Sequence, residues 1–213
     1  MNTKGLNDWA AENWKLIAGA IGIAAVILVA FGIWNESRKE KERAATNALY
    51  DAQKAVRPLA EAKKPAEAEK ALSSVIETFP GTRAAYEAAI QAGDLFMDSG
   101  AYAEAVKRYE AAADAAKDSF SKVLARYNLG IAKETAGQYQ EAVTSYEDAL
   151  KVSGSDFLKP ELLMAQARCY EALNQGQKAL TIYQDVQKNF ASNSYYSAAA
   201  AAFASQLSGK SLQ

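Results

Sequence analysis

The feature that most narrows what this chain can become is an echo at a distance of 37 residues. Residues 137–149 read GQYQEAVTSYEDA, and 37 positions earlier residues 100–112 read GAYAEAVKRYEAA. The same distance later, residues 174–186 read NQGQKALTIYQDV, where Asn174 replaces glycine, Gly176 replaces tyrosine, and Ala179 and Tyr183 are kept. One step before the first copy, a weaker one holds Ala68, Leu72 and Val75, followed by Pro80. The stretch ahead of each copy also repeats, with Gly93 and Phe96, then Gly130 and Lys133, then Ala167 and Tyr170. Self-similarity at a fixed period of this size means stacked units, each too small to bury its apolar face alone.

The residue types assign a helix pair to every unit. Gly100, Gly137 and Asn174 stand where a first helix must end, because a left-handed residue there lets the chain reverse. Gly93, Gly130, Ala105, Ala142 and Ala179 are small where two helices approach closely. Tyr109, Tyr146 and Tyr183 are expected to fill the space between successive pairs. The period and this small/aromatic pattern are the tetratricopeptide signature, drawn out slightly from its usual length. Pairs are expected over about residues 49–79, 86–116, 123–152 and 160–190. FPG at 79–81 and SGSDF at 153–157 read as turns between pairs, and Lys63 and Lys64 ahead of Pro65 as a solvated turn. A last helix from Tyr195 covers the apolar edge that a solenoid otherwise leaves bare, and residues 208–213 form a frayed tail.

A different constraint acts at the N-terminus. Residues 16–34, LIAGAIGIAAVILVAFGIW, carry no charge. As a helix they reach about 28 Å, close to the hydrocarbon thickness of a bilayer. Trp9 and Trp14 precede the run and Trp34 ends it, where aromatic belts form. A cleavable signal would have a shorter apolar region and a small-residue cleavage site. Here NESRKEKER follows, so a retained anchor is expected, with Ala18, Gly22 and Ala25 offering a small-residue face to another membrane helix. Lys4 and Lys15 before the span stand against Arg38, Lys39, Lys41 and Arg43 after it, a bias that would keep the large C-terminal part in the cytoplasm. Long domains translocate largely regardless of such charges, so charge does not decide the orientation.

Composition removes several classes of function. Lys and Arg number 24 against 25 Asp and Glu, with no basic stripe of the kind nucleic acid requires. Histidine is absent and Cys169 is the single cysteine, which excludes an internal disulfide and the usual histidine-based catalytic and zinc constellations. Cys169 is expected to be a buried, inert thiol. No P-loop, dinucleotide fingerprint or nucleophile elbow occurs. Carboxylate pairs such as Glu110 and Asp114 have the i,i+4 spacing of a solvated helix face. The expectation is a chain with no catalytic residue, no cofactor, no metal site and no small-molecule substrate.

What such an array offers is a groove lined by the first helix of each pair. The period points Ile90, Asp94 and Met97 into it from one repeat, Tyr127, Ile131 and Glu134 from the next, and Met164, Arg168 and Glu171 from the third. Tyr127 and Met164 are expected to be the exposed members, while burial of Ile90 and Ile131 is left open. Some tetratricopeptide domains clamp a peptide's C-terminal carboxylate with Lys and Asn at these places. Ile90, Tyr127 and Met164 stand there instead, so extended or helical segments of other proteins, unfolded ones included, are the expected ligands.

Taken whole, AENWK at 11–15 before the membrane run, WN at 34–35 after it, the helical extension and the array in that order resemble the YfgM-like family, the ancillary subunit of the bacterial Sec translocon. The resemblance implies a single-pass inner-membrane anchor with a short cytoplasmic tail and a periplasmic domain. It further implies association with the SecYEG translocon and with a membrane-anchored periplasmic chaperone of the prolyl-isomerase type, in aid of exported clients. The family has no catalytic residues to carry over. The alternative is a structural cell-envelope scaffold, which FPGT at 79–82 suggests through its likeness to the tetratricopeptide cell-division coordinator. A third reading keeps the domain in the cytoplasm as a docking platform. The expected layout is all-α: a tail over 1–15, a transmembrane helix over 16–34, a membrane-proximal helix over 35–60, a tetratricopeptide α-solenoid over 61–190, and a capping helix with its tail over 191–213.

Overall fold

A computed structural model describes residues 9, 11–61 and 64–210. Lys4, Lys63 and the last residues of the expected tail, 211–213, lie outside the described residues. The chain divides into two compact units, Met1–Ala44 and Ala45–Gln213. Among the described residues it forms nine α-helices and one 3-10 turn, with no strand.

The first helix, α1 (Trp14–Glu61), begins in the N-terminal unit. It is long and apolar enough to cross a membrane. Ile21, Val26, Leu28 and Phe31 all stand exposed on it, an arrangement that water would oppose and lipid would reward. At the polar end of this run Phe31 leans on Trp34 with ring centroids 5.8 Å apart, and the Arg38 guanidinium sits 5.7 Å over the Trp34 ring. α1 runs through Pro58 and ends at Glu61.

In the second unit the end of α1 pairs with α2 (Pro65–Thr78), and Ala45, Leu49 and Ala52 pack with Leu72 and Val75. Then come α3 (Arg83–Asp98) with α4 (Tyr102–Ala115), α5 (Ser119–Thr135) with α6 (Tyr139–Leu150), and α7 (Lys159–Ala172) with α8 (Gly176–Asn189). A final helix, α9 (Ser194–Lys210), follows. The helix starts are written locally. The Thr82 hydroxyl accepts from the Ala85 N–H at 3.1 Å and Asp118 accepts from the Ser121 N–H at 2.9 Å, while α2 and α7 carry prolines in their first turns.

The turns inside the pairs follow the echo. Gly100 and Gly137 each take φ +78°, and Asn174 takes φ +56°. The next residue then donates its N–H back five positions: Ala101 to Phe96, Gln138 to Lys133 and Gln175 to Tyr170, at 2.8–2.9 Å. That reverse bond satisfies carbonyls the helix end would leave bare. The predicted turns between pairs hold Gly81 and Gly154, both with positive φ, and the 3-10 turn Ser155–Phe157.

The tyrosines reach the next element as expected, Tyr109 packing with Leu129 and Ala132, and two of them also lie against a glycine of their own pair. A Cβ on Gly93 would lie 2.5 Å from Tyr109 Cε1, and one on Gly130 would lie 2.2 Å from Tyr146 Cε1. The glycines are small because a ring lies flat against their backbone. Tyr146 also reaches the next pair, sharing a cluster with Leu162, Ala165 and Cys169. In the last pair Ala167 holds the glycine's place and Tyr183 stacks on Phe203 of α9, with centroids 5.3 Å apart. Cys169 is fully buried, and burial first and the charge of Glu134 second push its thiol up to about 12, so it is inert as expected.

Candidate protein-binding site

The first helices of the second and third full pairs, α5 and α7, meet across a line of polar contacts. Tyr127 of α5 donates its hydroxyl to Glu161 of α7 at 3.2 Å. Two turns along, Arg168 of α7 donates through Nε to Glu134 of α5 at 3.1 Å, with Nη2 at 3.5 Å from the other carboxylate oxygen. That second oxygen also accepts the Tyr146 hydroxyl at 2.7 Å. Glu134 therefore ties together α5, α6 and α7 with both oxygens engaged.

These residues surround an open depression of about 540 Å³ lined by Tyr127, Ile131, Glu134, Thr135, Tyr139 and Arg168. Four of the nine groove residues expected from the repeat come together here. The other five do not line it. Ile90 and Met97 are half-buried against Ala105, Val106 and Tyr109, and Asp94 accepts the Tyr109 hydroxyl at 2.5 Å. Glu171 accepts the Tyr183 hydroxyl at 2.5 Å. Met164, expected to be exposed, is a correction: only 5% of it is accessible, because Ala200 and Ala204 of α9 pack into the same cluster. The last helix occupies the place where a further repeat would begin, and so covers the position that Tyr127 leaves half open one repeat earlier.

Three contributors went unmarked in the sequence. Tyr139 packs against the core and lines the depression as well. Thr135 follows Glu134 and its hydroxyl bonds the Ile131 carbonyl at 2.8 Å. Glu161 sits 37 residues after Leu124, so the echo at that position carries no hint of an acid.

A pattern of phenol and carboxylate runs along the array. Tyr109 donates to Asp94, Tyr146 to Glu134 and Tyr183 to Glu171. Glu134 and Glu171 are one period apart, whereas the matching position of the first pair is Met97, and the acceptor moves one turn back to Asp94. Burial foremost, then the carboxylate bond, pushes all three phenols up, and Tyr127 is pushed to about 12 by burial and the charge of Glu161. A phenol held neutral beside a carboxylate is a fixed donor, not an acid or base poised near neutrality. Among the described residues no group of three or more His, Cys, Asp or Glu side chains is placed to hold a metal ion.

A family model described as a tetratricopeptide repeat-like domain matches residues 7–158, and a second, described as a tetratricopeptide repeat, matches residues 135–203. No curated protein sequence matches the chain. Several solved structures are similar. A Podosopora anserina protein of nearly identical TPR-like repeats superposes with a TM-score of 0.60 at 19% identity, over 76% of this chain and 87% of that one. A tetratricopeptide repeat protein from Parabacteroides merdae gives 0.60 at 15% identity, over 77% of this chain and 61% of that one. MamA from Desulfovibrio magneticus gives 0.51 at 15% identity, over 76% of this chain and 94% of that one. At these identities the likeness is one of fold.

Proposed function

Because this chain belongs to the tetratricopeptide repeat-like family, we propose that it is a non-catalytic, membrane-tethered adaptor whose repeats hold a segment of another protein. The observation that carries this reading is the depression between α5 and α7. It combines aromatic and aliphatic walls with an Arg168–Glu134 pair whose partners are 41% and 22% exposed, a surface suited to a peptide. The exposed apolar run of α1 supports the tether, since such a helix gains by entering lipid. Residues 1–15 are then a tail, 16–34 the span, 35–60 a membrane-proximal helix, 61–190 the binding array and 191–213 its cap. Of the nine positions, Tyr127, Ile131, Glu134 and Arg168 form that surface, whereas Asp94 and Glu171 hold Tyr109 and Tyr183, and Ile90, Met97 and Met164 pack against neighbouring helices.

The resemblance to YfgM-like proteins, carried by residues 11–15 and 34–35, extends the proposal to the partners. The anchor lies in a bacterial inner membrane, the array faces the periplasm, and the partners are SecYEG and a prolyl-isomerase-type chaperone. A photo-crosslinking amino acid at Thr135, beside the depression, tests this in cells. Adducts with SecY or a periplasmic chaperone are expected; adducts with cytoplasmic proteins alone would overturn the export reading. A C-terminal alkaline phosphatase fusion should be active, and an inactive one would place the array on the wrong side.

A further inference from the structure

We infer that the site selects basic segments: a lysine or arginine side chain of the bound protein seats against Glu161 between Tyr127 and Tyr196, while its apolar neighbours lie over Ile131 and Tyr139. The inference rests on the adaptor reading and names the chemistry of what the adaptor holds.

Three helices build the seat. Glu161 lies in the first turn of α7 and accepts the Tyr127 hydroxyl from α5 at 3.2 Å. On the α9 side Tyr196 lies near Glu161; burial first, and that carboxylate second, push its phenol up. Tyr195 meets Tyr196 edge-on, with centroids 5.1 Å apart, and adds a 73% exposed ring beside it. The carboxylate is half-buried, and among the described residues it forms no ion pair with any lysine or arginine. The hydrogen bond from the neutral Tyr127 phenol engages one oxygen without cancelling the charge. A cation arriving there would gain the charge and the ring faces together.

The surrounding field has the same sign. Asp94, Glu134, Glu161 and Glu171 belong to this face of the first helices, against Arg168 alone, and Arg168 is bound to Glu134 at 3.1 Å. Of the three bases of α5, Lys122, Arg126 and Lys133, the last two line a separate depression with Glu141 and Asp148. Arg168 is still 41% exposed, and Glu134 occupies only part of its five-donor fork, so it has N–H groups left for backbone carbonyls of the bound segment. The site thus offers donors to a main chain, apolar walls to side chains and an acid to a cation. Like-charge repulsion from these carboxylates excludes acidic segments.

The test uses the full chain in lipid nanodiscs and three fluorescein-labelled peptides with one shared Leu/Phe framework, carrying Lys, Gln or Glu at the same alternate positions. Fluorescence anisotropy should show the Lys peptide binding about tenfold more tightly than the Gln peptide, with the Glu peptide weakest. Glu161→Gln should abolish the advantage of Lys over Gln. Tyr196→Ser, which keeps the carboxylate but opens the seat, should reduce the same advantage and serves if Glu161→Gln proves unfolded by circular dichroism. Equal affinity for the Lys and Gln peptides overturns the basic selection and leaves the adaptor reading standing. A Lys preference untouched by both variants overturns the seat at Glu161. Failure of all three peptides to bind overturns the adaptor reading as well.

Discussion

Gly130 and Tyr146 meet at a distance that permits no intermediate residue. A Cβ at position 130 would stand 2.2 Å from Cε1 of a ring that is itself fully buried, so neither side can give way cheaply. Gly130→Ala should therefore destabilise the fold by about 1–3 kcal/mol, read as a lowered thermal midpoint, although alanine is the better helix former. In the last pair Ala167 stands at the same position, and there the facing ring, Tyr183, stacks on α9. Glu134 is the polar counterpart. Glu134→Ala strands the buried Tyr146 hydroxyl and unpairs Arg168, at a cost of about 1–3 kcal/mol in urea unfolding. Glu134→Gln should cost less, because its amide oxygen still accepts from the phenol. The echo made the glycines and tyrosines legible, since small and large residues trade places at a fixed spacing. It could not show the hydroxyl partners. Those depend on which turn of the neighbouring helix supplies an acid, and the shift from position 97 to Asp94 breaks the period.

Helix by helix, the array was readable from its punctuation. Gly100, Gly137 and Asn174 end α3, α5 and α7 with positive φ, and the chain reverses at each, because backbone chirality leaves few residues able to do so. What punctuation does not carry is depth. Met164 and Tyr127 occupy the same register of α7 and α5, yet one is buried and the other half-open, because α9 lies over the first. A terminal helix changes the exposure of its neighbour without changing any spacing. Ala200 is the hinge of that contact, fully buried against the cluster of Met164, Ala167 and Tyr183. Ala200→Glu would bury an unpaired charge and should release α9, costing about 3 kcal/mol or more. Limited proteolysis reads the effect directly: cleavage near residues 190–194 should appear in the variant under conditions that leave the parent chain intact.

Across the whole array each pair touches only its neighbours, so stability is shared out along the stack and a weakness repeated in every pair acts on all of it at once. The phenols supply such a weakness at high pH. Tyr109, Tyr146 and Tyr183, one in each full pair, are all raised above their ordinary range, chiefly by burial, and Tyr127 is raised to about 12. An unfolded chain loses these protons near pH 10, whereas the folded one holds them to higher pH. The sign follows from that difference: the contribution is fully present below pH 10, and it drains away as pH climbs from 10 through the folded values, because the unfolded state alone gains by ionising. The chain should therefore keep an unchanged urea midpoint between pH 7 and 9 and lose it steeply above about 10. Tyr109→Phe, Tyr146→Phe and Tyr183→Phe combined should flatten that fall while lowering the plateau, since each removes one proton to lose and one carboxylate bond. A midpoint that declines in parallel for both chains above pH 10 would show that the phenols are not its cause, and would leave lysine deprotonation on the surface as the source.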